Sequence, residues 1–281
     1  MNNEYRLLNI ACGEKVSSVG NWTNVDLGSP LDDVVSMDIS SGLNFPDNTF
    51  DVVYAAQFVE HLDLLTLDNV LIEVVRVLKP KGIFRVVTPD LEELVGSYLK
   101  YLNSVRANPS GLEAEKYDWM RMEIFDQIVR DKSGGEMVDV LDNLGHEMSQ
   151  FLSERFGIAF SGKVGQATGS NISDVRSNLS FRQIFRRLPA FLKRKIVLLL
   201  SSKSSKIGSF RVSGEVHRYM HDSFSLSRSF NNAGFASCNV LSAFKSEIPS
   251  WDQYQLDSKM GVADGPQCLF MEAKKHSKSD A

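Results

Sequence analysis

Residues 9 to 27 read NIACGEKVSSVGNWTNVDL, and the fold turns on how this stretch is understood. An apolar run, RLLNIA, feeds a turn at Ala11-Cys12-Gly13, and WTNVDL then forms a second short strand ending on Asp26. A strand, a turn and a strand closing on an acid outline a nucleotide-cofactor site. Only Gly13 stands where a dinucleotide loop carries two or three glycines, and the interval from Gly13 to Asp26 is short. Gly13 lets the backbone turn sharply and approach a ligand with no Cβ in the way. Asp26 can accept hydrogen bonds from both hydroxyls of a ribose. The same residues also describe the plain turn of an α/β protein with capping acids, and taken alone the stretch leaves both readings open.

Working outward, DDVVSMDI reads as a third strand ending on Asp38, placed to meet an adenine amino group or to cap the next segment. FDVVYAAQF gives a fourth strand after the turn-forming FPDNTF. LTLDNVLIEVVRVLKPKG follows with Leu67, Val70, Leu71, Val74, Val75 and Leu78 at helical spacing, ended by Pro80 and Gly82. GIFRVVTPD is a fifth strand. Alternating strands and crossovers predict a parallel sheet covered on both faces. Ligands then belong beyond the carboxyl ends of the strands, where Ala11 to Gly13, Asp26, Asp38, Gln57 and Thr88-Pro89 fall.

After Pro89 strand character fades until about Gly214. EKYDWMRMEIFDQIVRD places Trp119, Met122, Ile124, Phe125 and Ile128 around an amphipathic helix. MVDVLDNLGHEMSQFLSERFG and FRQIFRRLPAFLKRKIVLLL read as further helical regions, the latter interrupted at Pro189, and SSKSSK breaks the run. A helix over DSFSLSRSFNNAGF, closed by Gly234, then precedes strands over ASCNVLSAF and PQCLFMEAKK. The expected architecture is a sheet unit, residues 1–90 and 215–281, with a helical cap, 91–214, inserted after the fifth strand.

The chain of 281 residues has 43% hydrophobic and 23% charged residues, ordinary for a globular protein large enough to bury a substantial core. Its start lacks the pattern of a secretory signal, and no apolar run approaches the length of a membrane span. Cys12, Cys238 and Cys268 are far apart and without CxxC spacing, so no disulfide framework or zinc site is indicated and no metal ligand set is proposed. A reducing, cytoplasmic setting is expected. The net charge of −4 hides a basic stretch: residues 181–212 hold nine Lys or Arg and no Asp or Glu. A solvated helix face, a nucleic-acid patch and a membrane-surface helix are its three readings. No nucleic-acid-binding module accompanies it, so no nucleic-acid partner is expected. Phe181, Ile184, Phe185, Leu188, Phe191 and Leu192 suit peripheral contact with an anionic membrane at its inner face.

LLNIACGEK, WTNVDL, FPDNTFDVVYAAQFVEHL, EVVRVLKPKGIFRVVTPD and AGF together resemble the successive motifs of class I S-adenosylmethionine-dependent methyltransferases. The resemblance is closest to the type 11-like branch associated with bacterial polysaccharide biosynthesis, in which LNLGCG, W-N-D and EH follow at this spacing. It implies an α/β, Rossmann-like class I methyltransferase fold, with a mostly parallel seven-stranded sheet and a large helical insertion. It implies S-adenosylmethionine as cofactor, which has no pyrophosphate and so does not need the missing glycines. Carried over by position, Ala11, Cys12 and Gly13 match the loop under the methionine part. Asp26 with Leu27 matches the ribose acid and its neighbour, Asp38 with Ile39 the adenine edge, and Gln57 the position facing the methyl donor. Three positions depart from the pattern: Ala11 replaces a usual glycine, Asn9 stands where many members carry an acid, and Gln57 stands where close relatives commonly have His.

His61, His146, His217 and His221 are candidate bases. EVHRYMHDSFSL clusters His217, Arg218, Tyr219 and Asp222 where the insertion rejoins the sheet, so His217 and Gln57 are the catalytic candidates. Asp222 alternatively opens the following helix. In the insertion, Asp126 and Arg130 lie four apart with Gln127 alongside, an arrangement that is either an ordinary ion pair or an acceptor site. The resemblance favours Asp126, Gln127, Arg130, Arg218 and Tyr219 as acceptor-binding groups. The expected function is O-methylation of a sugar or glycan intermediate. The alternative is a catalytically silent relative that binds partners or a membrane through its basic cap.

Overall fold

One sheet organises the chain, built from β1 (Leu7–Ile10), β2 (Trp22–Asp26), β3 (Val35–Ser36), β4 (Phe50–Ala56), β5 (Leu78–Pro89), β6 (Phe235–Leu241) and β9 (Cys268–Lys275). Their order is β3-β2-β1-β4-β5-β9-β6. The first five run parallel, and β9 is antiparallel to both β5 and β6. The computed structural model describes residues 5–29, 31–141, 144–158, 160, 203–211 and 214–277. The predicted helix at 181–200 and most of the basic stretch 181–212 lie outside the described residues.

The order reverses between β1 and β4: β2 and β3 extend to one side of β1, and β4 and β5 to the other. That makes the carboxyl ends of β1 and β4 the switch point of the sheet, where a ligand crevice opens. The connection from β1 to β2, residues 11–21, contains no helix.

One face of the sheet is covered by helices. Helix α1 (Leu64–Val77) starts at Asp63, whose side chain accepts from the Thr66 amide, and it turns Leu67, Val70, Leu71, Val74 and Val77 inward. Helix α7 (Ser223–Ala233) adds Leu226 and Phe230, held between the Asp222 capping box and Gly234 in the left-handed conformation. The periodicity that predicted both helices is therefore their buried stripe, each large side chain contributing about 1.5–3 kcal/mol.

The opposite face departs from expectation. Among the described residues no helix covers it; the connection between β6 and β9 lies across it instead, with a 3-10 turn at Trp251–Tyr254 and a small hairpin of β7 (Ser258–Lys259) and β8 (Val262–Ala263). Ile248, Trp251, Tyr254 and Leu256 pack against Leu7, Val52, Tyr54, Ile83 and Phe270, with Trp22 alongside. Arg85 of β5, fully buried, pins this layer: it pairs with Asp257 at 2.6 Å and Glu272 at 2.7 Å and donates to the carbonyls of Ser242 and Lys245. Tyr54 donates to Asp257 at 2.6 Å.

Between β5 and the returning chain lie α2 (Leu91–Ala107), α3 (Leu112–Val129), α4 (Gly135–Leu141), α5 (His146–Phe156) and α6 (Lys203–Arg211). The first four share a separate apolar cluster around Leu94, Tyr101, Trp119, Met120, Met148 and Leu152.

Four boundaries differ from the sequence reading. Helix α1 ends at Val77 rather than at Pro80, and β5 begins at once with the fully buried Leu78. Lys79 to Gly82 are absorbed as an irregularity, since Phe50 pairs with Leu78 but Val52 with Ile83. The third strand shrinks to the exposed edge pair Val35–Ser36. Helix α3 buries Trp119, Met120, Glu123 and Asp126 and leaves Phe125 exposed, because Glu123 is paired with the buried Arg155 at 2.8 Å. Within SSKSSK, Lys203 to Lys206 are helical and open α6, and the run before them lies outside the described residues.

Candidate functional site

A cavity at the switch point holds about 760 Å³ and is roofed by α3, α4 and the end of α5. Ala11 to Lys15 after β1, Ala56 and Gln57 after β4, and Pro89 and Asp90 after β5 form its floor. Gln127, Arg130, Glu123 and Trp119 come down from α3, and Asp264 to Cys268 form a side wall. A volume of this size falls in the range of small-molecule pockets, and its lining is rich in polar and charged groups.

The floor is shaped by unusual backbone. Ala11 has φ 50°, Gly13 φ 53° and Gln57 φ 52°, so the chain turns left-handed on both sides of the crevice. Two of these are not glycine, and such conformations persist only where surrounding structure enforces them. The enforcing contacts centre on Asp26: one carboxylate oxygen accepts from the Gly13 amide at 3.0 Å and the other from the Gly28 amide at 2.7 Å. Ser29 donates to the Gly13 carbonyl at 2.7 Å. Each oxygen of Asp26 keeps a second lone pair, so the acid can brace the loop and still accept from a ribose. A Cβ at Gly13 would meet nothing within 4 Å, which is the open approach that a bound cofactor requires.

Asp38 accepts from the amide and hydroxyl of Ser40 and from the hydroxyl of Ser41, and these bonds hold its pKa below the usual carboxylate value. It caps the 3-10 turn Ile39–Ser41, the second of its two expected roles. Leu27 is 69% exposed beside Asp26, whereas Ile39 is buried in the core. Asp26, Leu27, Asp38 and Ile39 do not line the roofed cavity itself.

Gln57 does line it, and its amide donates to Cys268 Sγ at 3.4 Å, a contact spanning the sheet. Burial raises the Cys268 thiol to about 12 and, with help from Asp26, raises Cys12 to about 11, so both are neutral. Lys15 and Asp264 pair at 2.7 Å across the rim, a contact that the sequence reading missed. Of the expected acceptor groups, Gln127 and Arg130 reach the cavity. Asp126 and Arg130 form no ion pair: Arg130 donates to the Glu215 carbonyl at 2.9 Å, while Asp126 accepts from the Glu136 amide at 2.7 Å. Arg218 is exposed, 3.5 Å from Asp63, and Tyr219 rests against His221.

His217 lies behind the cavity wall. It is 4% exposed, edge-on to His61 with ring centroids 4.8 Å apart. Burial, then the fields of His61 and Arg130, lower its pKa to about 3, so it is a neutral imidazole. Its amide donates to the Gln127 carbonyl at 2.9 Å, which ties the returning chain to α3. His146 is exposed at the start of α5. Glu60 is fully buried; desolvation raises its carboxyl to about 7 against the hydrogen bond from Thr88 at 3.0 Å.

The sheet and its crevice define a Rossmann-like α/β protein with a cavity at the switch point. Residues 15–86 match the model of a family described as a methyltransferase domain, a stretch running from the β1 loop into β5. That match supports S-adenosylmethionine as the cofactor, in agreement with the open Gly13 loop and Asp26. A search of curated proteins finds no match. Among solved structures, the chain is similar to the cyclase SpnF, with 26% identity over 31% of this chain and 40% of that one, at a TM-score of 0.27. A protein from Pyrococcus horikoshii shows 29% identity over 36% of this chain and 56% of that one, at 0.27. An S-adenosylmethionine-dependent methyltransferase from Thermotoga maritima shows 12% identity over 98% and 84%, at 0.40. The chain thus spans about half the length of the first two. All three scores are below 0.5, and the fold assignment rests on the strand order.

Proposed function

We propose that this protein is an S-adenosylmethionine-dependent methyltransferase whose acceptor is a hydroxyl of a small polar molecule, a sugar or glycan intermediate. The observation that carries the reading is the cavity of about 760 Å³ at the carboxyl ends of β1, β4 and β5, with the Asp26-braced Gly13 loop on one side and Gln127 and Arg130 above. Residues 1–90 and 215–281 would form the cofactor unit, and 91–214 the cap that holds the acceptor. When bound, the cofactor supplies a methyl group already activated on a sulfonium. The chain's own work is then alignment and exclusion of water. Ala11, Cys12, Gly13, Asp26 and Leu27 would hold the cofactor, with Asp38 and Ile39 at its far edge. Gln57 would orient the acceptor, and Gln127 and Arg130 would bind its oxygens. Asp126, Arg218, Tyr219 and His217 would act one step removed, by holding the cap and the returning chain in place.

Calorimetry with S-adenosylmethionine, S-adenosylhomocysteine and NADH tests the cofactor. The two sulfur compounds should bind and NADH should not. Asp26→Ala should weaken binding by about 10- to 100-fold, the worth of hydrogen bonds to a charged group. Absence of binding by the wild type would end the methyltransferase reading. A second reading, a catalytically silent cofactor-binding chain, is favoured by one observation: Gln57, a poor base, occupies the crevice and is engaged by Cys268. Labelled methyl turnover with a panel of nucleotide sugars separates the two. Contact of residues 181–212 with an anionic membrane is part of the proposal as well, and retention in the soluble fraction in a low-salt liposome flotation would remove it.

A further inference from the structure

Among the described residues, one group offers three metal-ligating side chains at once: Glu60, His61 and His217, with one donor atom from each lying within 4.8 Å of the others. Glu60 Oε1, His61 Nδ1 and His217 Nδ1 are all buried with no hydrogen-bond partner. Glu60 is 0% and His217 4% exposed. Buried polar atoms are nearly always paired, so three orphans in one spot call for an occupant. The two imidazole rings stand at 88° to each other, which lets both aim a nitrogen lone pair at one point, as stacked rings could not.

We propose that Glu60, His61 and His217 bind one divalent first-row transition-metal ion. Two imidazoles and a carboxylate form a donor set suited to Zn²⁺ and its neighbours, with a position left over, and unsuited to Mg²⁺ or Ca²⁺, which prefer oxygen ligands. Ligand bonds of about 2.0–2.1 Å put tetrahedral donors roughly 3.4 Å apart, so closure needs only a small inward movement of the side chains.

The frame around the donors is already rigid. Thr88 donates to Glu60 Oε2 at 3.0 Å, leaving Oε1 for an ion, as an outer-shell partner does. The amides of Arg218 and Tyr219 bond the Glu60 carbonyl at 2.8 and 3.1 Å, and the His217 amide bonds Gln127. The ion would thus join the turn after β4 to the chain returning from the helical segment. Arg130 is the cation whose field reaches both imidazoles, and at His61 the Glu215 carboxylate opposes it. The cluster lies outside the cavity lining, and its metal binding does not depend on the cofactor.

The test is direct titration of the chelator-treated, full-length protein with Co²⁺ and Zn²⁺ at neutral pH, without cofactor. Expected are one ion per chain, visible Co²⁺ bands of a low-coordinate site, their displacement by Zn²⁺, and at least about 100-fold weaker binding in His61→Ala and in His217→Ala. A wild type that leaves the Co²⁺ spectrum that of the free ion overturns the proposal whatever the variants do. Stoichiometric binding that survives in the folded double variant overturns it equally.

Discussion

Ala11 shows what a single side chain can cost at the crevice. With φ at 50° it sits in a conformation that penalises an L-residue by about 1–2 kcal/mol. Ala11→Gly should therefore stabilise the protein by about 0.5–1 kcal/mol, a gain reduced by glycine's freedom in the unfolded chain. Urea denaturation measures it, and a lower midpoint would show that the Cβ packs better than the backbone is strained. His221 makes the opposite kind of demand. It is 1% exposed, and burial lowers its pKa from 6.5 against the opposing pull of the Val59 backbone and Asp222. Below pH 6.5 the unfolded chain takes up a proton that the folded chain resists, so stability is full above that value and declines as pH falls. His221→Leu should make this acid-side decline shallower; a slope equal to wild type would refute it. At this scale the sequence showed where chemistry could sit, because Gly13, Asp26 and Gln57 end strands. It could not show that Asp26 spends a bond on each flanking amide, nor that Gln57 meets Cys268, since neither contact has a local pattern.

Elements were legible wherever burial is periodic. Helix α1 and helix α7 each carry one apolar stripe, and the Asp222 cap and Gly234 stop stood in plain view. Legibility failed where a charge was buried or a strand bent. Helix α3 has its apolar residues spread around the axis, and the Glu123–Arg155 pair, joined by Glu93, decides which face turns inward. In β5, Pro80 and Gly82 looked like a helix stop, yet they form the irregularity within a strand. A Cβ on Gly82 would lie 2.8 Å from the Lys79 carbonyl oxygen and 3.1 Å from that of Asp51, both backbone atoms that cannot move aside. Gly82→Ala should consequently destabilise the fold by about 1–3 kcal/mol, measured by thermal unfolding. A neutral substitution would mean that the bend is slack.

The whole molecule depends on a contact set that no local reading exposes. Arg85 lies in the middle of a buried strand, ion-paired to Asp257 and Glu272, residues far away in sequence. Arg85→Met would leave both carboxylates buried without a cation, at a cost of about 3–5 kcal/mol. Denaturant unfolding that moved by less than about 1 kcal/mol would contradict this, since that is the range of an exposed pair.

The chain that Arg85 fastens serves two surfaces at once. Between β6 and β9, residues 248–256 blanket the back of the sheet, and Asp264 to Cys268 then wall the cavity. One continuous run of peptide therefore couples the mouth of the site to the rear layer, much as a strap drawn over one edge tightens on the other. Amide exchange across Ile248 to Leu256 becomes a remote gauge of occupancy: it should slow when the cavity fills, although none of those residues lines it.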